Sequence, residues 1–552
     1  MSSGKGTGDP SASASNVQLV AKRPPAAKPF TGRPPVTQHE FDVLVVGAGG
    51  AGIRAAVESA QMGCRTALLS KSLLGKAHTV MAEGGVAAAL RNADERDNWK
   101  VHFRDTMRGG KFLNNWRMAQ IHAQEAPDRV RELEMWGAVF DRTKDGWMNQ
   151  RNFGGHTYPR LAHVGDRTGL EIIRSLQDKA VHTANLEVFM ETVVIRLLKD
   201  GDRIAGAVAY ERENGHLHVF SAKAVVLACG GVGKAFQVTS NSWEYTGDGY
   251  GLAYEAGADL MDLEFIQFHP TGMIWPPSVR GILVTEGVRG EGGILRNADG
   301  ERFMFRYVPD MFKGDFAESE EEVLRWLAGD KSARRPPELL TRDVVARAIL
   351  SEVKAGRGSP RGGAYLDISW RPADYVKKKL PSMYHQFKEL AGVDITKEPM
   401  EVAPTMHYTM GGVRVHPETQ MTNVPGLFAA GETAAGLHGA NRLGGNSLSD
   451  LLVFGKRAGE HAARWAQDSA KPRIDTAQLE TAIEDALAPL KRQDGELPAV
   501  LHEALQQTMN DNVNMIRFGD ELEKAVAEAD HVHVVVHGLL QRLMQDRGEF
   551  PV

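Results

Sequence analysis

Cysteine is almost absent: the chain of 552 residues has two, Cys64 and Cys229. Two cannot build a disulfide framework, and their scarcity suits a reducing compartment. Neither sits in a CxxC pair, so no iron–sulfur cluster is expected on this chain. Long apolar runs are missing as well. No stretch approaches the roughly 18 residues that span a bilayer, so membrane attachment is expected to run through another chain. An excess of positive charge is also missing, since the formal net charge is −5 with 24% charged residues. That balance gives no reason to expect a nucleic-acid partner. No internal repeat is visible. Hydrophobic residues make up 42% of the chain, enough at this length for a large core split into two or three domains.

The first 38 residues are rich in Ser, Ala, Pro, Gly and Lys, with almost no hydrophobic periodicity, and read as a flexible arm. Scarce acids would also suit a transit peptide. Pro24-Pro25 and Pro34-Pro35 break any amphipathic helix, however, and no apolar core of a secretory signal is present, which favours the arm.

The stretch Phe41 to Leu90 organises the rest. An apolar run, Phe41 to Val46, reads as a buried parallel strand; Gly47, Gly49, Gly50 and Gly52 follow, and an apolar-periodic helix begins near Ala51. Glycines at these positions let the backbone turn tightly and approach a pyrophosphate, held against the free N–H groups at the helix start. A second strand, Thr66 to Ser70, completes the unit. Where many such folds carry a ribose-binding acid, this chain has Ser70-Lys71, which weakens NAD and leaves FAD open.

Lys76-Ala77-His78-Thr79 comes next, then Glu83-Gly84-Gly85. Composition alone makes His78 a surface loop histidine. The segment resembles HTV-x-A-x-GG of the flavoprotein subunits of succinate dehydrogenase and fumarate reductase, whose histidine bonds covalently to the flavin. The resemblance, which runs from about Phe41 to Ala525, implies FAD bound through His78. The flavin would be held by Gly47, Gly49, Gly50, Gly52, Ser70, Lys71, Thr79, Gly84, Gly85, Asp248, Glu432, Ser447 and Leu448.

Asp105 to Leu170 looks helical and polar, and FDRTKDGWMNQRNFGGH with the DRTG at Asp166 to Gly169 is similar to the family's segment beside flavin and substrate. Short alternating strands fill Leu186 to Val226 and end in AKAVVLACGGVG. Asp248 precedes a helix, where it reads as a capping acid and, by resemblance, as a flavin neighbour. The pattern then changes over 271–397, read as an inserted domain. A strand Leu427 to Ala430 delivers Gly431-Glu432, the segment HGANRLGGNSLSDLL feeds a helix, and the chain beyond Ala470 looks helical. The expected class is α/β: a Rossmann-like FAD-binding domain (39–270 and 398–470), an inserted α+β capping domain (271–397) and a mainly helical C-terminal domain (471–552). His531, His533 and His537, and the pair His216 and His218, read as solvated strand faces. No carboxylate or thiolate joins them in sequence, so no metal site is expected.

Seven further residues matter together. His269 lies in QFHPTG, Thr285, Glu286 and Arg289 in LVTEGVRGEGG, Arg342 in TRDVVAR, His407 in PTMHYTMGG and Arg442 in HGANRLGG. Singly, an arginine before an aspartate is a surface ion pair and a histidine before proline a turn residue. Together, imidazoles, a hydroxyl and forked guanidiniums are what a small dicarboxylate needs.

The resemblance implies removal of two hydrogens from succinate to give fumarate, with His269, Thr285, His407 and Arg442 binding the substrate. Arg342 would be the base and Glu286 and Arg289 its proton relay, easing the problem that arginine's pKa is roughly 12.5 or above. Electrons would leave to a separate iron–sulfur subunit and then to a membrane anchor holding quinone. That places the chain on the cytoplasmic face of a bacterial inner membrane, with the mitochondrial matrix side as the lesser alternative. Fumarate reduction is the same chemistry reversed and stays open. L-Aspartate oxidase shares the glycine, HPTG-like and NRLGG segments, but generally lacks a histidine at the His78 position. An inactive flavin-binding assembly subunit would not need Arg342, His407, Arg442, Glu286 and Arg289 together.

Overall fold

The computed structural model of the chain describes residues 34–491 and 496–537. Its central sheet is built on β1 (Val36–Val46), which pairs in parallel with β2 (Thr66–Leu69) on one side and β6 (Leu217–Leu227) on the other. Covered on both faces, Val43, Leu44 and Val45 are fully buried, which is why the run is continuously apolar. The order continues outward through β3 (Leu186–Phe189) beyond β2. Beyond β6 lie the antiparallel β5 (Arg203–Glu211) and β4 (Thr192–Asp200). The last residues of β6 also pair in parallel with β11 (Leu427–Ala429). Thus β1, β6 and β11 end at one edge, and each runs into a glycine-bearing loop there. That edge, at the carboxyl ends of parallel strands, is where an open α/β sheet binds its ligand.

Two helices pack against each other on this sheet: α1 (Gly50–Gln61) and the long α7 (Asn446–Asp468). Gly455 and Gly459 of α7 approach the α1 backbone so closely that side chains there would strike the Ala51 and Ala55 carbonyls.

The chain between these halves forms a second, antiparallel sheet. Its order is β7 (Ile266–Met273), β10 (Met400–Thr409), β9 (Ala364–Asp367) and β8 (Ile294–Arg296), with α6 (Arg342–Lys354) packed on it. It has its own buried cluster, including Leu295, Phe303, Leu339, Ile349, Leu366 and Val402. This is the expected α/β class with an α+β insertion. The chain leaves the first sheet along β7 and returns along β10, so these paired strands carry His269 and His407 to the boundary between the two units. Three helices end the described chain: α8 (Thr476–Leu487), α9 (Pro498–Asn512) and α10 (Gly519–His537).

Some expectations need correction. The first strand starts at Val36, inside the stretch read as an arm, and residues 1–33 lie outside those described. The region 105–170 is only partly helical. After α2 (Trp99–Gly109) and α3 (Trp116–Met135) come the two-residue strands Gln150–Arg151 and Leu161–Ala162, before α4 (Thr168–Val181). His531, His533 and His537 are helical, not on a strand, because α10 runs through them; local helical continuity from Gly519 outweighs the β-branched run. His218 is on β6, half-buried, and sits 2.9 Å from His39 of β1. Among the described residues no group of three or more candidate ligands could hold a metal ion, and no helix is long and apolar enough to cross a membrane.

Candidate active site

The glycines after β1 are fixed by contact. Gly47 has φ +107°, and a Cβ there or at Gly52 would overlap backbone, the Ala228 carbonyl in the first case and the Gly47 carbonyl in the second. Gly52 therefore sets the packing of turn on helix and does not line the cleft, whereas Gly47, Gly49 and Gly50 do. Helix α1 opens after Gly49 and α7 after Gly445 (φ +85°), both without a side-chain cap, so unsatisfied N–H groups remain at both starts.

Both ends border one cleft with about 1460 Å³ of empty space, above the roughly 300–1,000 Å³ of an ordinary small-molecule pocket. Ser70, Lys71, His78, Thr79, Gly84, Gly85, Asp248, Glu432, Ser447 and Leu448 line it, as expected. Asp248 is not the cap of its helix, α5 (Asp248–Ala256), because Gly247 takes that place. It pairs instead with Lys71 at 2.7 Å, tying the end of β2 to that helix.

A dinucleotide suits this surface at both ends. Two uncapped helix starts await a pyrophosphate, and His78 Nδ1 and Glu83 Oε2 are buried with no hydrogen-bond partner. His78 opens a short 3-10 turn, His78–Met81, and its Nε2 lies 3.2 Å from Asn241 Nδ2.

At the other end of the cleft are the dicarboxylate candidates. Arg342, the first residue of α6, is 7% exposed, and Arg442 in the loop before α7 is 3% exposed. Gln267 joins them: its Oε1 accepts from Arg342 Nη1 at 3.0 Å and from Arg442 Nη2 at 3.2 Å. Arg342 also donates through Nε to Glu286 Oε2 at 2.9 Å, and Arg289 Nη2 lies 3.5 Å from the same oxygen. Arg289 is fully buried behind Glu286, away from the cleft. Its outer side donates to the Glu338 carbonyl at 2.6 Å. Arg442 donates to Ser447 at 2.8 Å and lies over the Tyr408 ring, but among the described residues it forms no ion pair with a carboxylate.

The rings of His269 and His407 are 5.1 Å apart. His269 Nδ1 is held at Thr271 and its Nε2 is buried without a partner; His407 Nδ1 is held by Ser240 at 2.7 Å. Thr285 lines the cleft beside them.

Burial dominates the titration of these groups. It pushes His78 down to about 4 and His407 and His269 well below the usual histidine range; nearby guanidiniums add to each shift. All three imidazoles are therefore neutral near neutral pH, able both to donate and to accept. Burial raises Glu432 above the usual carboxylate range and lowers Arg442, beside which Arg342 adds like-charge repulsion. An unpaired buried guanidinium is costly, so a pocket holding one invites an anion.

Sequence reasoning missed Gln267, Asn241, Ser240, Tyr245 and Tyr408. Gln267 was legible: it lies two residues before His269 on β7, so both side chains point to one face. Asn241 and Ser240 carry no such spacing, since they meet His78 and the strand β10 only through the fold.

Comparison with known proteins agrees with this geometry. An FAD binding domain family matches residues 42–448. The flavin-family chain of the fumarate reductase (CoM/CoB) of Methanothermobacter marburgensis is 45% identical over 493 residues, 89% of this chain and 84% of that one. The mitochondrial succinate dehydrogenase flavoprotein subunit of rice is 38% identical over 89% of this chain and 76% of its own. Among solved structures, Mycobacterium smegmatis Sdh1 in complex with UQ1 has a TM-score of 0.77 at 57% identity, covering 90% of this chain and 81% of that one. FrdA of Escherichia coli quinol fumarate reductase has a TM-score of 0.81 at 36% identity, covering 90% and 83%. With an FAD-binding fold and relatives of both names across nine-tenths of its length, the chain belongs to the family of succinate dehydrogenase and fumarate reductase flavoprotein subunits.

Proposed function

We propose that the chain is the flavoprotein subunit of a succinate dehydrogenase, oxidising succinate to fumarate with FAD linked covalently to His78. The observation that carries the dicarboxylate is the pair Arg342 and Arg442, bridged by Gln267, with no carboxylate paired to Arg442 among the described residues. FAD, when bound, supplies the acceptor for a hydride and its electron pair. The chain's own residues do the rest. Arg442 grips one carboxylate through its planar fork, while His269, Thr285 and His407 hold the other and fix which hydrogens face which acceptor.

Arg342 receives the proton from the carbon next to the hydride donor. Its contact with Glu286, and that of Glu286 with Arg289, lets the proton leave as it arrives, so a neutral guanidine need not accumulate. Residues 271–397 act as a cap that excludes water, which strengthens every fixed charge inside. The purpose of the His78 linkage is to make the cofactor a stronger oxidant, because a saturated carbon next to a carboxylate is a poor hydride donor.

The electrons pass to an iron–sulfur subunit and then to quinone in a membrane anchor. This would place the chain peripherally on the cytoplasmic face of a bacterial inner membrane. Relatives named as subunits, and the related structure with UQ1, support this. The reverse reaction, fumarate reduction, has equal support from the relatives, because direction depends on potentials outside this chain. The test is turnover of the purified complex with succinate and with fumarate. Faster net oxidation at matched driving force supports the dehydrogenase, and faster reduction the reductase.

A further inference from the structure

A second cavity, with about 860 Å³ of empty space, lies behind the catalytic pocket. Its walls come from α2, the loop 155–157, the segment 312–316 and the stretch before α6. Three arginines line it. Arg104 and Arg108 are four apart on α2 and share a face; Arg335 comes from the insertion. Arg108 sits over the Phe312 ring at 5.5 Å and Arg335 over Phe316 at 4.8 Å, so both forks are held in place before any ligand arrives.

Their protein partners leave charge unspent. Arg335 donates to the His156 carbonyl, and among the described residues no carboxylate pairs with it. Arg108 reaches Asp315 at 3.4 Å, a loose contact to a half-exposed side chain that an incoming anion can replace. Asp105, the other acid in the wall, is occupied: Arg160 and Thr157 hold its oxygens at 3.0 and 2.7 Å. A buried charge with no counter-ion is costly unless something supplies one.

The partition from the catalytic pocket is thin. Thr341, immediately before Arg342, lines the second cavity, and so does Gly155, where a Cβ would meet Leu443, the residue after Arg442. We propose that this cavity is an anteroom that binds the dicarboxylate between Arg335 and Arg108 before it passes the Thr341–Leu443 partition into the catalytic pocket. The identity of the anion rests on the succinate reading above; the site itself rests on its three arginines.

The test is stopped-flow binding of malonate to the FAD-loaded complex, followed by flavin absorbance. In the wild type the observed rate should saturate with malonate as the anteroom fills. Arg335→Gln should slow association roughly tenfold at low salt, the scale of electrostatic steering. The equilibrium Kd should stay within about twofold, because the final bound state does not touch Arg335. Arg335→Lys should recover part of the rate. Should Arg335→Gln fail to fold, the double variant Arg104→Gln/Arg108→Gln decides, with the same slowing expected. Sulfate at constant ionic strength separates the ligand classes: slowed malonate entry with unchanged Kd means that the site takes any small dianion, and the dicarboxylate assignment falls. Unchanged association rates in these variants, or a weaker Kd with an unchanged rate, overturn the anteroom. A wild type that binds no malonate and turns over no succinate instead overturns the functional reading.

Discussion

Gln267 is the residue on which the two substrate arginines converge, and it is uncharged. An acid there would neutralise the positive field meant for the substrate; an apolar residue would leave two guanidiniums unrestrained. Gln267→Leu should therefore weaken malonate binding by about 1.5–3 kcal/mol, the value of a lost hydrogen bond to a charged group, which is roughly 10- to 100-fold in Kd. Arg442→Lys keeps the charge and loses the fork, and a similar weakening is expected with turnover at saturation largely retained. Titration of flavin absorbance with malonate measures both; affinity within twofold of wild type for Gln267→Leu would show that the bridge does not matter. His78→Ser should leave FAD bound but removable by acid precipitation, with succinate oxidation falling much further than fumarate reduction. Flavin that survives acid on that variant places the linkage elsewhere.

Elements decided what the sequence made legible. The glycine turn, β1, α1 and the return of the fold at β11 could be read because each follows local rules: an apolar run buried on both faces, then glycines where a Cβ would strike backbone. Gly52→Ala tests that reasoning. Its Cβ would overlap the Gly47 carbonyl, so the turn must open, and the variant should fold poorly or lose FAD. Gly63→Ala, at φ +90° with open space around it, should cost only the strain of its conformation and keep FAD. What could not be read is how distant elements pin one another.

The start of α7 is held by three histidines from other segments. His102 lies 2.9 Å from Asn446, His122 lies 2.8 Å from Ser449 and His156 lies 2.7 Å from the Gly444 carbonyl. Nothing in their spacing announces this. Burial, with His438 adding to it, lowers His122 to about 3, and burial also holds His102 and His156 well below the usual range. Each is neutral when folded and binds a proton more readily when unfolded. Stability is therefore complete above about pH 6.5 and declines as pH falls below it, by up to about 1.4 kcal/mol per unit for each group. Melting curves between pH 7 and 4 should show that decline, and His122→Gln should make it shallower; an equal slope in the variant would contradict the assignment.

For the molecule as a whole, the division of labour follows from what the chain lacks. Its two cysteines make no cluster, and among the described residues no helix can span a membrane. Electrons taken from succinate must then leave through another protein. Gentle solubilisation of membranes should recover the chain with an iron–sulfur subunit and with a quinone-binding anchor, whereas a fully active monomer that reduces quinone unaided would refute that arrangement. The central claim is narrower: Arg342, held by Glu286 and Gln267, exchanges the substrate proton. It is tested most directly by succinate–fumarate interconversion in both directions with Arg342→Gln, FAD loading and malonate binding being measured on the same preparation. The account predicts that turnover collapses both ways while FAD stays bound and malonate still binds, more weakly for the lost charge. Near-normal turnover in that variant, with Glu286→Gln or Arg289→Gln inactive, would contradict it and make Arg342 a clamp only.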